Sequence, residues 1–278
     1  MNIGLIADNT CSFSKEKAKE LDIKIVSLYV KKGEEFNKAC DINIDKYREY
    51  LDKCQTIPTT SQPNPADFKK VFDNIKNEYD AILVPVLSQG LSGTYASSKI
   101  ASQDIPRDIR TVDTKLTGPG YGFLLENLRK KINDGSSIDE LEEYSKNFYK
   151  RLLTIFSVGD LKYLYKGGRL SSAKYFMGSL LNLKPIISII DGELKAIKKE
   201  RGNTKLIKEF ISMLTGKEFE KMVVVHTGRI EDANNLVQII KNEFEINDIP
   251  IIHLDPILMT HLGSSCLGII TECKEDIY

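Results

Sequence analysis

The sequence predicts an α/β protein: an N-terminal, mostly parallel sheet flanked by helices, then a second α+β unit. Three observations lead to this. Short apolar runs alternate with helical segments through the first half of the chain, the pattern of β-α-β units. Residues Ala81 to Leu87 contain six Ala, Ile, Leu or Val among seven, which reads as a strand buried on both faces. After Thr154 the alternation gives way to a hairpin whose turn is Asp191-Gly192, a strong two-residue turn signal. With 278 residues the chain can bury a sizeable core, and the change of pattern places domains at 1–150 and 151–278.

Each element has its own reason. Asn2 to Ala7 is the first strand, ending at Asp8-Asn9-Thr10, where polar residues can line a ligand crevice or simply make an Asx turn. Ser14 to Leu21 is a short helix and Ile23 to Val30 a second strand. Asn43 caps a helix to about Lys53 with Ile44, Tyr47, Tyr50 and Leu51 on one face. Three prolines within Thr56 to Pro65 argue against regular structure and for a stiff loop carrying Thr59, Thr60 and Ser61. Asn64 and Pro65 then start a helix that turns Phe68, Val71, Phe72 and Ile75 inward.

The strand Ala81 to Leu87 runs into Ser88-Gln89-Gly90-Leu91-Ser92-Gly93-Thr94-Tyr95. Two glycines bracket Ser92, and Thr94 opens the next helix. A strand, a Gly-rich turn and a helix N-terminus together suit a carboxylate or phosphate, and they equally make an ordinary βα loop. Asp108 to Val112 is a further strand, and Thr117 to Gly122 leads into a helix without the spacing of a dinucleotide fingerprint. Ser137 and Glu140 form a capping box for a helix reaching about Leu152.

In the second half, Thr154 to Val158 is a strand. Lys166-Gly167-Gly168-Arg169 is a cation-flanked turn that lets backbone approach closely, or a helix C-cap. A helix to about Leu183 follows. The hairpin strands are Pro185 to Ile190 and Glu193 to Lys198, and Met222 to His226 and Ile249 to Leu254 are strands around a helix from Glu231 to Phe244. His261 stands ahead of a Gly-Ser-Ser turn and a final apolar segment.

Composition narrows the function. Lys plus Arg and Asp plus Glu both total 39, so no basic surplus points to nucleic acid. Five scattered cysteines, without a C-x-x-C or a zinc-spaced histidine, fit reduced thiols and a cytoplasmic protein with no metal or cofactor. The N-terminus lacks the basic region of a signal peptide, and no apolar run is long enough for stable membrane insertion.

Several loops, in order, resemble the DegV family of bacterial fatty-acid-binding proteins. They are Thr60-Ser61-Gln62-Pro63, Gly90-Leu91-Ser92-Gly93-Thr94-Tyr95, Lys166-Gly167-Gly168-Arg169, Lys184-Pro185-Ile186, Asp191-Gly192 and His261-Leu262-Gly263. The resemblance spans nearly the whole chain. It implies one long-chain fatty acid held between two domains, with Thr60 and Ser92 on the carboxylate and Arg169 and His261 lining the head-group site. Ser61, Gly93 and Thr94 complete the implied fatty-acid-binding set. It further implies a monomeric carrier, not an enzyme, that presents the acyl chain to the catalytic subunit of a fatty acid kinase. Three stretches depart from the family pattern: Asp8-Asn9-Thr10 for Asp-Ser-Thr, Asp113-Thr114 for Asp-Ser, and Gly263-Ser264-Ser265 for Gly-Pro-Gly.

The alternative is an enzyme using Ser92 and His261 in the same cleft. Gly90-Leu91-Ser92-Gly93-Thr94 misses the last glycine of a hydrolase nucleophile elbow. A phosphotransferase would share the anion loops, but the chain has neither a Walker A lysine motif nor a kinase signature.

Overall fold

The computed structural model describes residues 1–170 and 183–277. In chain order the elements begin with β1 (Ile3–Asp8), α1 (Lys15–Glu20), β2 (Ile23–Val26), β3 (Tyr29–Lys32), β4 (Glu35–Lys38), α2 (Ile44–Lys53) and β5 (Thr59–Ser61). Next come α3 (Pro65–Ile75), β6 (Ala81–Val86), α4 (Thr94–Ser102), β7 (Asp108–Asp113), α5 (Pro119–Asn133), α6 (Ile138–Asn147), β8 (Leu152–Val158) and α7 (Lys162–Gly167). The remainder is β9 (Leu183–Ile190), β10 (Glu193–Arg201), α8 (Gly202–Leu214), β11 (Phe219–His226), α9 (Ile230–Phe244), β12 (Ile251–His253), α10 (Pro256–Leu262) and β13 (Cys266–Cys273). The chain forms two compact units, Met1–Ile42 with Thr60–Lys150, and Asn43–Thr59 with Arg151–Tyr278.

The first unit carries a four-stranded sheet in the order β2-β1-β6-β7. All its pairings are parallel. One face packs Ile6, Val26, Ile82, Val84 and Val86 against Phe68, Phe72 and Ile75 of α3. The Ser137–Glu140 capping box forms at α6 as the sequence implies, and the Asn64 cap of α3 closes a further capping box with Asp67.

Three local expectations are corrected. The single strand over Ile23 to Val30 is two, β2 in the parallel sheet and β3 in a separate sheet of order β4-β3-β5. The break has a visible cause: the Leu28 N–H is taken by Asn9 Oδ1 at 2.7 Å, so the ladder with β1 stops at the Asp8–Val26 pair. The proline-rich loop contains β5. Pro58 and Pro63 lie outside its three residues, and an edge strand that short tolerates prolines at its borders. The helix from the Ser137 box ends at Asn147, and the chain continues through a 3₁₀ turn, Phe148–Arg151, into β8.

The second unit holds a six-stranded sheet in the order β10-β9-β8-β13-β11-β12. The last strand of the chain, β13, sits between β8 and β11, antiparallel to both. The hairpin turn works as its residues demand, since Asp191 and Gly192 both have positive φ, 51° and 81°. Helices α8 and α9 cover one face with Leu206, Phe210, Leu214, Leu236 and Ile240. Helix α8 is an element the sequence reading does not contain. The helix expected to follow the Gly pair falls over 171–182, outside the described residues. Helix α2 belongs to this unit, where the buried Tyr47 hydroxyl meets Thr260 Oγ1 at 2.6 Å.

At the carboxyl ends of the parallel pair β11–β12, His226 and His253 are opposite each other with ring centroids 4.8 Å apart. His226 Nδ1 accepts the Gly228 N–H at 3.1 Å, which leaves its proton on Nε2. Burial, aided by the neighbouring His253, pushes the His226 pKa down from 6.5 to about 4. The unfolded chain then binds more protons than the fold between those values. The resulting stability is present above about pH 6.5 and is lost as pH falls toward 4, by roughly 3 kcal/mol. His226→Asn keeps an acceptor for Gly228 without titrating. Urea unfolding at pH 7 and pH 4.5 should therefore show a smaller acid loss in this variant than in the wild type; identical losses would refute the assignment.

Candidate functional site

The site begins at the carboxyl edge of the first sheet. Strand β2 lies on one side of β1 and β6 on the other, so the chain switches direction between β1 and β6, where open α/β sheets bind ligands. Three loops are tied together there. The buried Asp8 carboxylate accepts the Thr10 N–H at 3.0 Å, the Thr10 hydroxyl at 2.6 Å and the Leu87 N–H at 2.7 Å. Ser88 N–H donates to Leu116 O, and Gly118 N–H to Thr10 O, each at 2.8 Å. The loops after β1, β6 and β7 are thus linked pairwise. Complete burial pushes the Asp8 pKa up, against the lowering effect of its donors.

In Asp8-Asn9-Thr10 the Asx-turn reading is the one realised. Asp8 caps the 3₁₀ turn Asn9–Cys11, and Asn9 is committed to Leu28. The neighbouring departure is similar: Thr114 donates its hydroxyl to Val86 O at 2.8 Å.

The loop after β6 gathers hydroxyls at a helix start. Ser88 O accepts the N–H groups of Leu91 and Ser92, closing a tight turn. Ser92, half-buried, shares a 2.9 Å hydrogen bond with the fully buried hydroxyl of Thr94. Gly93 is the N-cap of α4 and offers no side chain to its first turn, in contrast to the Asn and Ser caps of α3 and α6. Hydroxyls therefore meet the positive end of a helix dipole, a setting suited to a small anion.

Strand β5 brings the second hydroxyl set, the half-buried Thr60 and Ser61. The residue that joins the two sets is Gln62. Its Nε2 donates to Ser97 Oγ of α4 at 2.9 Å, and its carboxamide lies across Gly93. A methyl group at Gly93 would come within 2.7 Å of Gln62 Cδ and 2.8 Å of its Nε2. Gln62 was legible only as a member of the Thr60-Ser61-Gln62-Pro63 motif. Its bond to Ser97 spans 35 positions and leaves no local signal.

In the second unit, Lys166-Gly167-Gly168-Arg169 is the C-terminus of α7, with Gly168 as a left-handed cap. The close-approach reading holds too, since a methyl at Gly167 would lie 3.0 Å from His261 Cε1. Arg169 Nη1 donates to Gly167 O. Arg169 and His261 are therefore brought together around Gly167. Burial, with the positive charge of Arg169 secondary, pushes the His261 pKa down to about 3, so the imidazole is neutral near pH 7. Burial likewise lowers the Arg169 pKa.

The Gly263-Ser264-Ser265 loop beside His261 is held within its own unit. Gly263 O accepts from Thr227 Oγ1 at 2.7 Å, Ser264 Oγ bonds Asp52, and Ser265 O accepts the Gly159 N–H at 2.9 Å. This loop lines a groove of about 220 Å³ with Asp52, Asp160 and Tyr163. Among the described residues no group of three or more His, Cys, Asp or Glu is arranged to hold a metal ion, and no helix is long and apolar enough to cross a membrane.

The fold and these loops define a two-unit α/β protein with a hydroxyl-bearing, helix-terminated loop at a sheet switch point. Residues 2–274 match the model of the DegV family, described as uncharacterised protein, DegV family, and the chain belongs to that family. A relative from Thermotoga maritima, named a fatty acid-binding protein, is 30% identical over 99% of both chains. Protein DegV of Bacillus subtilis is 29% identical over 97% of this chain and 98% of its own. Among solved structures, a DegV lipid-binding protein from Thermotoga maritima superimposes with a TM-score of 0.89 at 28% identity, over 99% of this chain and 100% of its own. DegV of Bacillus subtilis, described as a fatty acid binding protein, gives 0.88 at 28% identity over the same shares.

Proposed function

We propose that this protein binds one long-chain fatty acid and serves as a non-catalytic cytoplasmic carrier, presenting the acyl carboxylate to a separate fatty acid kinase subunit. The observation that carries the reading is full-length similarity to DegV structures described as lipid binding or fatty acid binding, in a chain whose two hydroxyl loops meet through Gln62. Thr60, Ser61, Ser92, Gly93 and Thr94 supply neutral donors to the carboxylate, and Arg169 and His261 supply a cation and a neutral imidazole for the head group.

The energetics favour such a ligand. Burying the alkyl chain contributes roughly 0.8 kcal/mol per methylene, on the order of 10 kcal/mol for a long chain. A carboxylate without partners would cost several kcal/mol, which charge-assisted hydrogen bonds of roughly 1.5–3 kcal/mol each offset. The Ser92 hydroxyl is paired with Thr94, an arrangement of a binding loop more than of an activated nucleophile.

Native mass spectrometry of the purified protein, followed by lipid extraction, tests the binding. One fatty acid per chain is the expected result; a bare polypeptide mass, with no uptake of added fatty acid, would defeat the proposal. Acyl phosphate should form only when a fatty acid kinase catalytic subunit and ATP are added. ATP turnover by the unmixed protein would overturn the carrier role.

A further inference from the structure

The glycine at position 93 is not demanded by backbone conformation. Its φ of −76° and ψ of 13° are open to any residue. What a side chain there would meet is Gln62, whose carboxamide occupies the space over the Gly93 Cα. Gln62 is solvent-exposed, and a surface glutamine ordinarily keeps its rotamer freedom. Here it is held at its tip by the 2.9 Å bond to Ser97, a hydroxyl only 2% exposed. An exposed side chain is thus anchored to a buried partner across a position kept bare for it.

We infer that Gln62 is a positioning residue for the head-group site, setting the distance between the Thr60-Ser61 hydroxyls and the Ser92-Thr94 hydroxyls so that one carboxylate can reach both. The inference rests on the fatty-acid reading above. A carboxylate has two oxygens at fixed separation, so donors on two loops serve it only if the loops keep their spacing. Strand β5 has three residues and lies at the edge of its sheet, which gives it little pairing of its own to hold that spacing. The anchor at Gln62 supplies it. A ligand with the same tail but no carboxylate does not need both loops at once.

The test compares hexadecanoic acid with hexadecan-1-ol on the wild type, Gln62→Ala, Ser97→Ala and the double variant. Gln62→Ala should weaken hexadecanoic acid about tenfold and leave hexadecan-1-ol nearly unchanged. Ser97→Ala should weaken the acid in the same direction, and the double variant should be no weaker than Gln62→Ala alone, because both changes remove one anchor. Equal losses for acid and alcohol, or additive losses in the double variant, would overturn the positioning role. Wild-type binding of the acid with undiminished affinity in Gln62→Ala would sink this inference alone. A wild type that binds neither probe would sink the fatty-acid reading along with it.

Discussion

Asp8→Ala should lower the unfolding free energy by about 3–5 kcal/mol. The side chain is fully buried and receives three donors, the N–H groups of Leu87 and Thr10 and the Thr10 hydroxyl. Alanine strands all three in a region closed to water, and a buried donor without an acceptor costs about 1–3 kcal/mol. The loss also releases the loop after β6 from the end of β1, so ligand affinity should fall with stability. Asp8→Asn retains one acceptor oxygen but turns an NH₂ toward one of the donors, and its loss should be intermediate. Denaturant midpoints for the three proteins measure this directly. Equal midpoints would show that the carboxylate carries no part of the loop connection.

The largest effect on binding is expected from Thr60→Ala combined with Ser92→Ala. Each removes a hydroxyl offered to the carboxylate, at about 1.5–3 kcal/mol apiece, so the pair should weaken a fatty acid by about a hundredfold or more. Stability should change little by comparison, since both residues are half-buried and lie in loops or at a sheet edge. One structural cost is at the buried Thr94 hydroxyl, which loses its 2.9 Å bond to Ser92, on the order of 1 kcal/mol. Displacement of a fluorescent fatty acid, run beside chemical unfolding, separates the two quantities. Wild-type affinity in the double variant would mean that the carboxylate is held elsewhere.

Several features of the candidate site are legible in local chemistry. The Ser88-to-Tyr95 stretch follows a strand whose six residues are all buried, and it leads into a helix. That order needs only an apolar run, two glycines and a helix-opening threonine. The Lys166-to-Arg169 turn reads both as a helix cap and as a close backbone approach, and both hold because Gly168 caps α7 while Gly167 meets His261. The link from Arg169 to His261 came from family resemblance, not from spacing, because 92 positions separate them in the sequence. Gln62 illustrates what stays hidden. Its partner lies on another element, and an exposed glutamine has no composition or periodicity to mark it.

The sequence by itself determined the α/β class, the caps at Asn64 and Ser137 and the Asp191-Gly192 hairpin. Each depends on the conformational preferences of a few adjacent residues, which act before any distant contact is made. Only the tertiary structure decided that Ile23 to Val30 divides between two sheets and that Thr59–Ser61 pairs as an edge strand. It also decided that α2 joins the second unit and that the final strand, β13, enters the middle of its sheet. These outcomes are set by hydrogen bonds between residues far apart in the chain. Asn9 taking the Leu28 N–H ends one ladder, and β13 completes another between β8 and β11. Local periodicity records which faces are apolar, whereas the choice of partner is made only when the backbone groups of distant segments compete for one another.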